Sequence, residues 1–173
     1  LWTGGGPDGP PGSSYTPDAG KLQSLAGTYR RIRNNTVAEI EYKDGKLAMK
    51  SGPVLIPLGP DKFAFGPAAT LTFEESSPMR FRTTADDAPV FEKVEPASPS
   101  PADLAQFAGD YHCPETGGTV TIKVAGGGLT YQVATNPLVT LRPSFRDVFL
   151  STDGTAVTFR RDSIGKVTGL SVG

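Results

Sequence analysis

Hydrophobic and polar residues alternate along most of the chain. Val120, Ile122 and Val124 fall on one side of a period-two pattern, with Thr121 and Lys123 on the other. After Gly126-Gly127-Gly128 the pattern resumes at Leu129, Tyr131 and Val133. Successive side chains of a strand point to opposite faces, so these runs predict two strands with one buried face each. Earlier in the chain, Ala38, Ile40 and Tyr42 alternate with Glu39 and Glu41, and Asp44-Gly45 precedes Leu47 and Met49. Asp-Gly between alternating runs predicts a hairpin, because a two-residue turn of the right twist needs positive φ. The same reasoning predicts further strands at 54–58, 62–65, 70–74, 79–83 and 90–94, and then at 138–141, 147–150, 156–160 and 167–172.

A short helical turn opens each half. Asp18 or Asp103 stands in the capping position, and Leu22 and Leu25, or Leu104 and Phe107, face inward. Gly27 and Gly109 are expected to end the turn, and Tyr29 and Tyr111 to begin the first strand. Leu25-Ala26-Gly27-Thr28-Tyr29 matches Phe107-Ala108-Gly109-Asp110-Tyr111 at an offset of 82 (107 − 25). The same offset pairs Ile40 with Ile122, Tyr42 with Val124, Gly45 with Gly127 and Leu47 with Leu129. Thr70-Leu71-Thr72-Phe73 then meets Ala156-Val157-Thr158-Phe159 at an offset of 86 (157 − 71), as inserted loop residues would produce. An ordered run of matches points to an internal duplication.

Each unit is therefore expected to hold a helical turn and seven or eight short antiparallel strands. A sheet of that size tends to curl and close, which removes its exposed edges. The predicted fold is all-β: two tandem small up-and-down barrels or strongly curved sheets. The expected boundaries are a linker or N-terminal arm at 1–21, a first β unit at 22–95, a Pro/Ser linker at 96–103 and a second β unit at 104–173. The strand at 90–94 has no counterpart before Gly173. The second unit is thus expected to lack its closing strand, unless the arm around Trp2 supplies it.

Composition agrees with this pattern. The 21 Gly and 16 Pro are spread along the chain and punctuate it into short segments. A unit of roughly 75 residues is marginal alone, so the halves should lean on each other or on a partner. A net charge of −1 offers no field for nucleic acid or anionic lipid. Arg30, Arg31, Arg33, Arg160 and Arg161 are interspersed with Glu39, Glu41, Glu74 and Glu75, as on a solvated mixed surface. One cysteine allows no internal disulfide, and one histidine beside it makes no structural zinc site. No stretch has the length of a membrane-spanning helix, and no signal segment opens the chain. Because Leu1 is not a start methionine, the chain reads as a fragment or processed form.

The candidate chemistry is sparse. Ser163-Ile164-Gly165-Lys166 matches Ser-x-x-Lys, but it falls in a predicted hairpin turn, and no Tyr-x-Asn or Lys-Thr-Gly accompanies it. His112 and Cys113 are neighbours on a predicted strand and should point to opposite faces, with Cys113 inward as a small hydrophobe. Asp86-Asp87, Glu74-Glu75 and Asp147 show no spacing that selects a catalytic carboxylate pair. Gly126-Gly127-Gly128 lacks the Lys-Ser/Thr and helix of a phosphate loop. Asn34-Asn35-Thr36 fits the glycosylation sequon. The aromatics Tyr29, Tyr42, Phe63, Phe65, Phe73 and Phe81 line either a ligand cavity or a filled core. Tyr29, Tyr42, Phe73, Tyr111, Tyr131 and Phe159 are the residues expected at such an interior. No catalytic, cofactor or metal site is expected.

The stretch Leu138-Val-Thr-Leu141-Arg-Pro143, Val157-Thr-Phe159-Arg-Arg-Asp162 and Gly165-Lys-Val167-Thr-Gly169-Leu170 resembles a particular kind of domain, as do the Ala-Gly-x-Tyr segments before it. These are the C-terminal accessory domains of serine hydrolases in the β-lactamase and penicillin-binding-protein-like (D-aminopeptidase-like) group. The resemblance covers about 22–173 and is tighter in the second unit, since Met79-Arg-Phe81-Arg82 departs from the Val-x-Gly-Leu ending in the first. It implies lipocalin-like eight-stranded barrels that pack beside a hydrolase domain, shaping access to its active site or helping it assemble. A periplasmic or extracellular setting goes with it. The expected partner is a hydrolase domain or another protein surface, including further copies of the chain, without nucleic acid or membrane insertion. The alternative is a free-standing lipocalin-like module for a small apolar or peptide ligand.

Overall fold

The computed structural model describes residues 15–84, 87–113 and 117–173. The first sheet contains β1 (Gly27–Arg31), β2 (Val37–Lys43), β3 (Lys46–Met49), β4 (Val54–Pro57), β5 (Lys62–Phe65), β6 (Ala69–Glu74), β7 (Arg80–Thr83) and β8 (Val90–Val94). These eight strands pair in chain order and close into a barrel. The second sheet contains β9 (Gly109–His112), β10 (Thr119–Ala125), β11 (Gly128–Val133), β12 (Val139–Phe145), β13 (Val148–Ser151), β14 (Ala156–Arg161) and β15 (Val167–Val172). Its order is again that of the chain, and β9 and β15 are its two edges. The all-β expectation holds, with one closed barrel and one seven-stranded sheet. The expectation that the arm around Trp2 closes the second sheet lies outside the described residues.

Turn chemistry sets the register. Lys43 pairs with Lys46 across Asp44-Gly45, whose φ angles are 52° and 76°, as a two-residue hairpin turn of that twist requires. Ala125 pairs with Gly128 across Gly126 and Gly127, at 57° and 77°. Gly128 has a second constraint, since a Cβ there would lie 2.4 Å from the Leu141 carbonyl oxygen on β12.

Helix α1 (Ala19–Leu25) is capped by Asp18, whose carboxylate accepts from the Lys21 N–H at 3.0 Å. The cap of α2 (Pro101–Ala105) is Ser100 and not Asp103. Asp103 sits three residues on and returns its carboxylate to the Ser100 N–H at 2.9 Å, closing a capping box. Gly27 and Gly109 do not end the helices either. The cap residues are Ala26 and Gln106. Each glycine instead opens the following strand, with φ of 148° and 150°, a conformation other residues avoid.

The barrel interior is filled. Tyr29 packs edge-on against Phe73 and Phe81, and Phe63 against Phe73, with ring centroids 5.0–6.1 Å apart. Ile40, Leu47, Leu55 and Leu71 complete this face. In the second sheet, Leu104, Phe107, Ile122, Leu129, Leu141, Phe149, Val157 and Phe159 form the equivalent core. Strand β13 is buried on both faces. Its outer side carries Val148 and Leu150, which with Phe145 and Ala156 form a separate cluster covered by Val37 and Val94.

By contacts, the chain divides into two compact units. One comprises the described residues up to Tyr29 with Glu39–Glu92, and the other Arg30–Ala38 with Lys93–Gly173.

Candidate functional site

Of the aromatic positions picked out from the sequence, Tyr29, Phe73, Phe159, Tyr111 and Tyr131 pack in or against the two cores. Tyr29, Phe73 and Phe159 are buried, and Tyr111, Tyr131 and Tyr42 are half-buried. Tyr111 and Tyr131 lie against the core of the second sheet, with the Tyr111 ring 5.8 Å from Phe159. Tyr29 and Tyr111 repeat one device. Each phenol donates to the carbonyl four residues back, Leu25 at the end of α1 at 2.7 Å and Phe107 just past α2 at 2.8 Å. Burial pushes the Tyr29 hydroxyl far above the usual phenol range and raises Tyr111 as well.

Ser163 lies in the turn between β14 and β15. Asp162 organises that turn by accepting from the Ile164 and Lys166 N–H groups at 3.1 and 2.8 Å. Gly165 has φ of 85°. Ser163 and Lys166 therefore do not share a helix face, as the Ser-x-x-Lys arrangement requires.

Cys113 is exposed and not inward as expected. The strand stops at His112, and Cys113 starts a turn in which its N–H donates to the Gly118 carbonyl at 2.8 Å. Its side chain thus leaves the alternation before reaching the core. His112 is also exposed, with Nδ1 3.4 Å from the Thr119 hydroxyl.

The carboxylates are engaged in ion pairs on separate elements. Glu74 meets Arg82, Glu75 meets Lys21, and Asp147 meets Arg161. Hydrogen bonds to Glu75 and then Asp61 raise the Lys21 ammonium. Asp86 lies outside the described residues. Among the described residues no three metal-binding side chains gather, and no helix is long and apolar enough to cross a membrane.

Arg161, read from the sequence as part of a solvated mixed surface, organises one end of the second sheet. Its Nε donates to Asp147 at 2.9 Å and its Nη1 to Gln106 and the Gly165 carbonyl at 3.1 and 2.7 Å. The guanidinium lies 5.1 Å from the centre of the Phe107 ring. It borders an open cleft of about 410 Å³. With each of these partners in place, Arg161 locks a helix to two turns and is not poised to receive a substrate anion.

The surface feature that fits an intermolecular role is on β4. Leu55 points into the barrel and is buried, whereas Val54, Ile56 and Leu58 are 48, 48 and 44 % exposed. Period-two geometry places Val54 and Ile56 side by side on the outer face of β4, and Leu58 follows one residue past its end. Beside them a cleft of about 300 Å³ opens at the barrel rim, lined by Tyr15, Pro17, Leu22, Leu47, Ile56 and Phe63 among others. Its walls are mostly apolar side chains.

Residues 93–173 match a domain of unknown function, DUF3471. The DUF3471 match begins at Lys93, where the contiguous part of the second unit also begins. It takes in α2 and all seven strands β9–β15, just under half of the chain. A search of curated proteins gave no match.

Proposed function

We propose that the chain is a non-catalytic accessory pair of β units that docks on a serine hydrolase domain of the β-lactamase and penicillin-binding-protein-like group. There it shapes access to the active site or supports assembly. The observation that carries this reading is the outer face of β4. Val54 and Ile56 on that face and Leu58 just beyond its end, each about half exposed, are more branched aliphatic surface than a strand facing only water needs. Covering each would return about 1 kcal/mol at the usual apolar coefficient. The filled interiors, the surface ion pairs that hold Glu74, Glu75 and Asp147, and the position of Ser163 in a turn support a role without chemistry of its own. The sequence resemblance over 22–173 supplies the hydrolase partner and a periplasmic or extracellular setting.

The test uses the full natural gene product and chromogenic β-lactam and D-alanyl anilide substrates. The expected result is a hydrolase domain in the same product, with turnover that falls severalfold in Ile56→Lys and is unaffected by Ser163→Ala. A gene product without any hydrolase domain, or hydrolysis by this chain alone that Ser163→Ala abolishes, overturns the proposal.

A second reading is a free-standing lipocalin-like module for a small apolar or peptide ligand. The apolar cleft beside Tyr15 and Phe63 favours it. Native mass spectrometry of the chain with medium-length fatty acids separates the two, since the accessory reading expects no stoichiometric adduct.

A further inference from the structure

Among the described residues, the two sheets differ at one strand position. In the first barrel, β8 fills the gap between β7 and β1. The equivalents of those strands are β15 and β9. Phe73 pairs with Phe81 on β7 as Phe159 pairs with Leu170 on β15, and β1 and β9 each carry the tyrosine whose phenol bonds to the carbonyl four residues back. Between β15 and β9 no strand stands among the described residues, and a groove of about 630 Å³ runs along both.

The backbone of both edges is prepared for pairing. Ala156 and Gly173 exchange N–H to O bonds at 3.1 and 3.0 Å, so alternation turns the N–H and C=O groups of Leu170 and Val172 towards the groove. Just past β9 the Cys113 N–H bonds to the Gly118 carbonyl on the β10 side, and with the β9–β10 register this turns the backbone N–H and C=O groups of Asp110 and His112 outward. Unpaired rows of this kind are templates for an added strand.

Charge names the occupant. In the first barrel, Arg80 on β7 reaches Glu92 of the filling strand at 3.5 Å, and Phe91 of that strand stacks on Phe81 at 4.7 Å. In the second sheet the position of Arg80 is taken by Gly169. The guanidinium of Arg160 lies over it, with Nη2 3.2 Å from where a Cβ would be. Arg160 and Lys166 both line the groove, and neither has an ion-pair partner among the described residues. A cation again sits at the site that meets the filling strand's carboxylate.

We propose that the seam between β9 and β15 accepts an extended peptide from another polypeptide, with an apolar or aromatic residue facing the core and a carboxylate beside it meeting Arg160. The inserted strand completes an eighth position and joins both edges by main-chain hydrogen bonds.

The probe is a synthetic peptide of residues 88–96, which carries the β8 sequence, titrated into the full chain and followed by amide hydrogen exchange. The expected result is slower exchange at 109–113 and 167–173 together, with at least tenfold weaker binding for the same peptide carrying Glu92→Lys. The Arg160→Glu chain should reverse that preference, a readout that stands even if edge-blocking variants such as Val172→Pro fail to fold. Several results overturn the proposal. They are no protection at millimolar peptide, equal binding of both peptides, edges already protected in the free monomer, or edges protected by concentration-dependent self-association.

Discussion

Tyr29 and Tyr111 make the same hydrogen bond at different depths, and the difference has a measurable consequence. The Tyr29 ring is buried, so removing its hydroxyl strands the Leu25 carbonyl without water to replace the donor. Tyr29→Phe should cost about 1–2 kcal/mol in urea denaturation. Tyr111→Phe should cost less, because that phenol is only half-buried and water can replace its hydroxyl more readily. Folding also holds the Tyr29 proton. Its native pKa is raised, so this contribution is intact below the unfolded value of about 10 and is lost as pH rises above it. Stability of the native protein should therefore fall more steeply above pH 10 than that of Tyr29→Phe. Gly128 is constrained differently. An added methyl group meets the Leu141 carbonyl oxygen and not a flexible side chain, so Gly128→Ala should force the β10–β11 hairpin away from β12 and cost about 1–3 kcal/mol, read as a lowered Tm.

Strand edges and turns carry the next level of specification. Asp153 holds the β13–β14 turn by accepting from the Ser151 hydroxyl and, at 3.0 Å, from the Thr155 N–H. The Ser151 bond, followed by those to Thr155, pulls its carboxyl down to about 2. Its stabilising effect is thus full above the unfolded value of about 4 and is lost as pH falls from there through 2. Asp153→Asn should flatten the acid side of the stability profile in that window, as followed by circular dichroism. The strands themselves were legible because period-two alternation and Asp-Gly or Gly-Gly turns are local signals. Residues whose position depends on where an element stops were not. Cys113 falls one residue beyond β9, so the alternation that should have turned it inward had ended. Ser100 displaced Asp103 as cap because the two share a reciprocal box that either residue alone suggests. The row on β4 was hidden for another reason: Val54-Leu55-Ile56-Pro57-Leu58 is apolar at every position, and a continuous run does not reveal which side faces water.

Across the whole molecule, each sheet has its own aromatic core, but the second unit needs more than its own contiguous stretch. The outer cluster of Phe145, Val148, Leu150 and Ala156 is covered by Val94 and by Val37, which lies outside the stretch 93–173. A carboxylate at position 37 would have to be buried there or leave the cluster open. Val37→Asp should therefore destabilise the second unit by about 1–2 kcal/mol. The same physics predicts that a fragment of 93–173 binds more of a hydrophobic dye, through its outer cluster, than the same stretch does in the full chain. Neither segment order nor this cover could be read from spacing along the chain, because long-range packing leaves no local period.

Pro96 bridges Phe145, and the Ala97 N–H donates to the Ser144 carbonyl at 2.9 Å. The Pro/Ser stretch, which composition suggests is a loose leash, is therefore fastened to β12 before α2 begins. A protease needs several slack residues to draw a chain into its cleft, and this fastening leaves few. Nicking by a broad-specificity enzyme should start elsewhere and spare the 96–100 stretch.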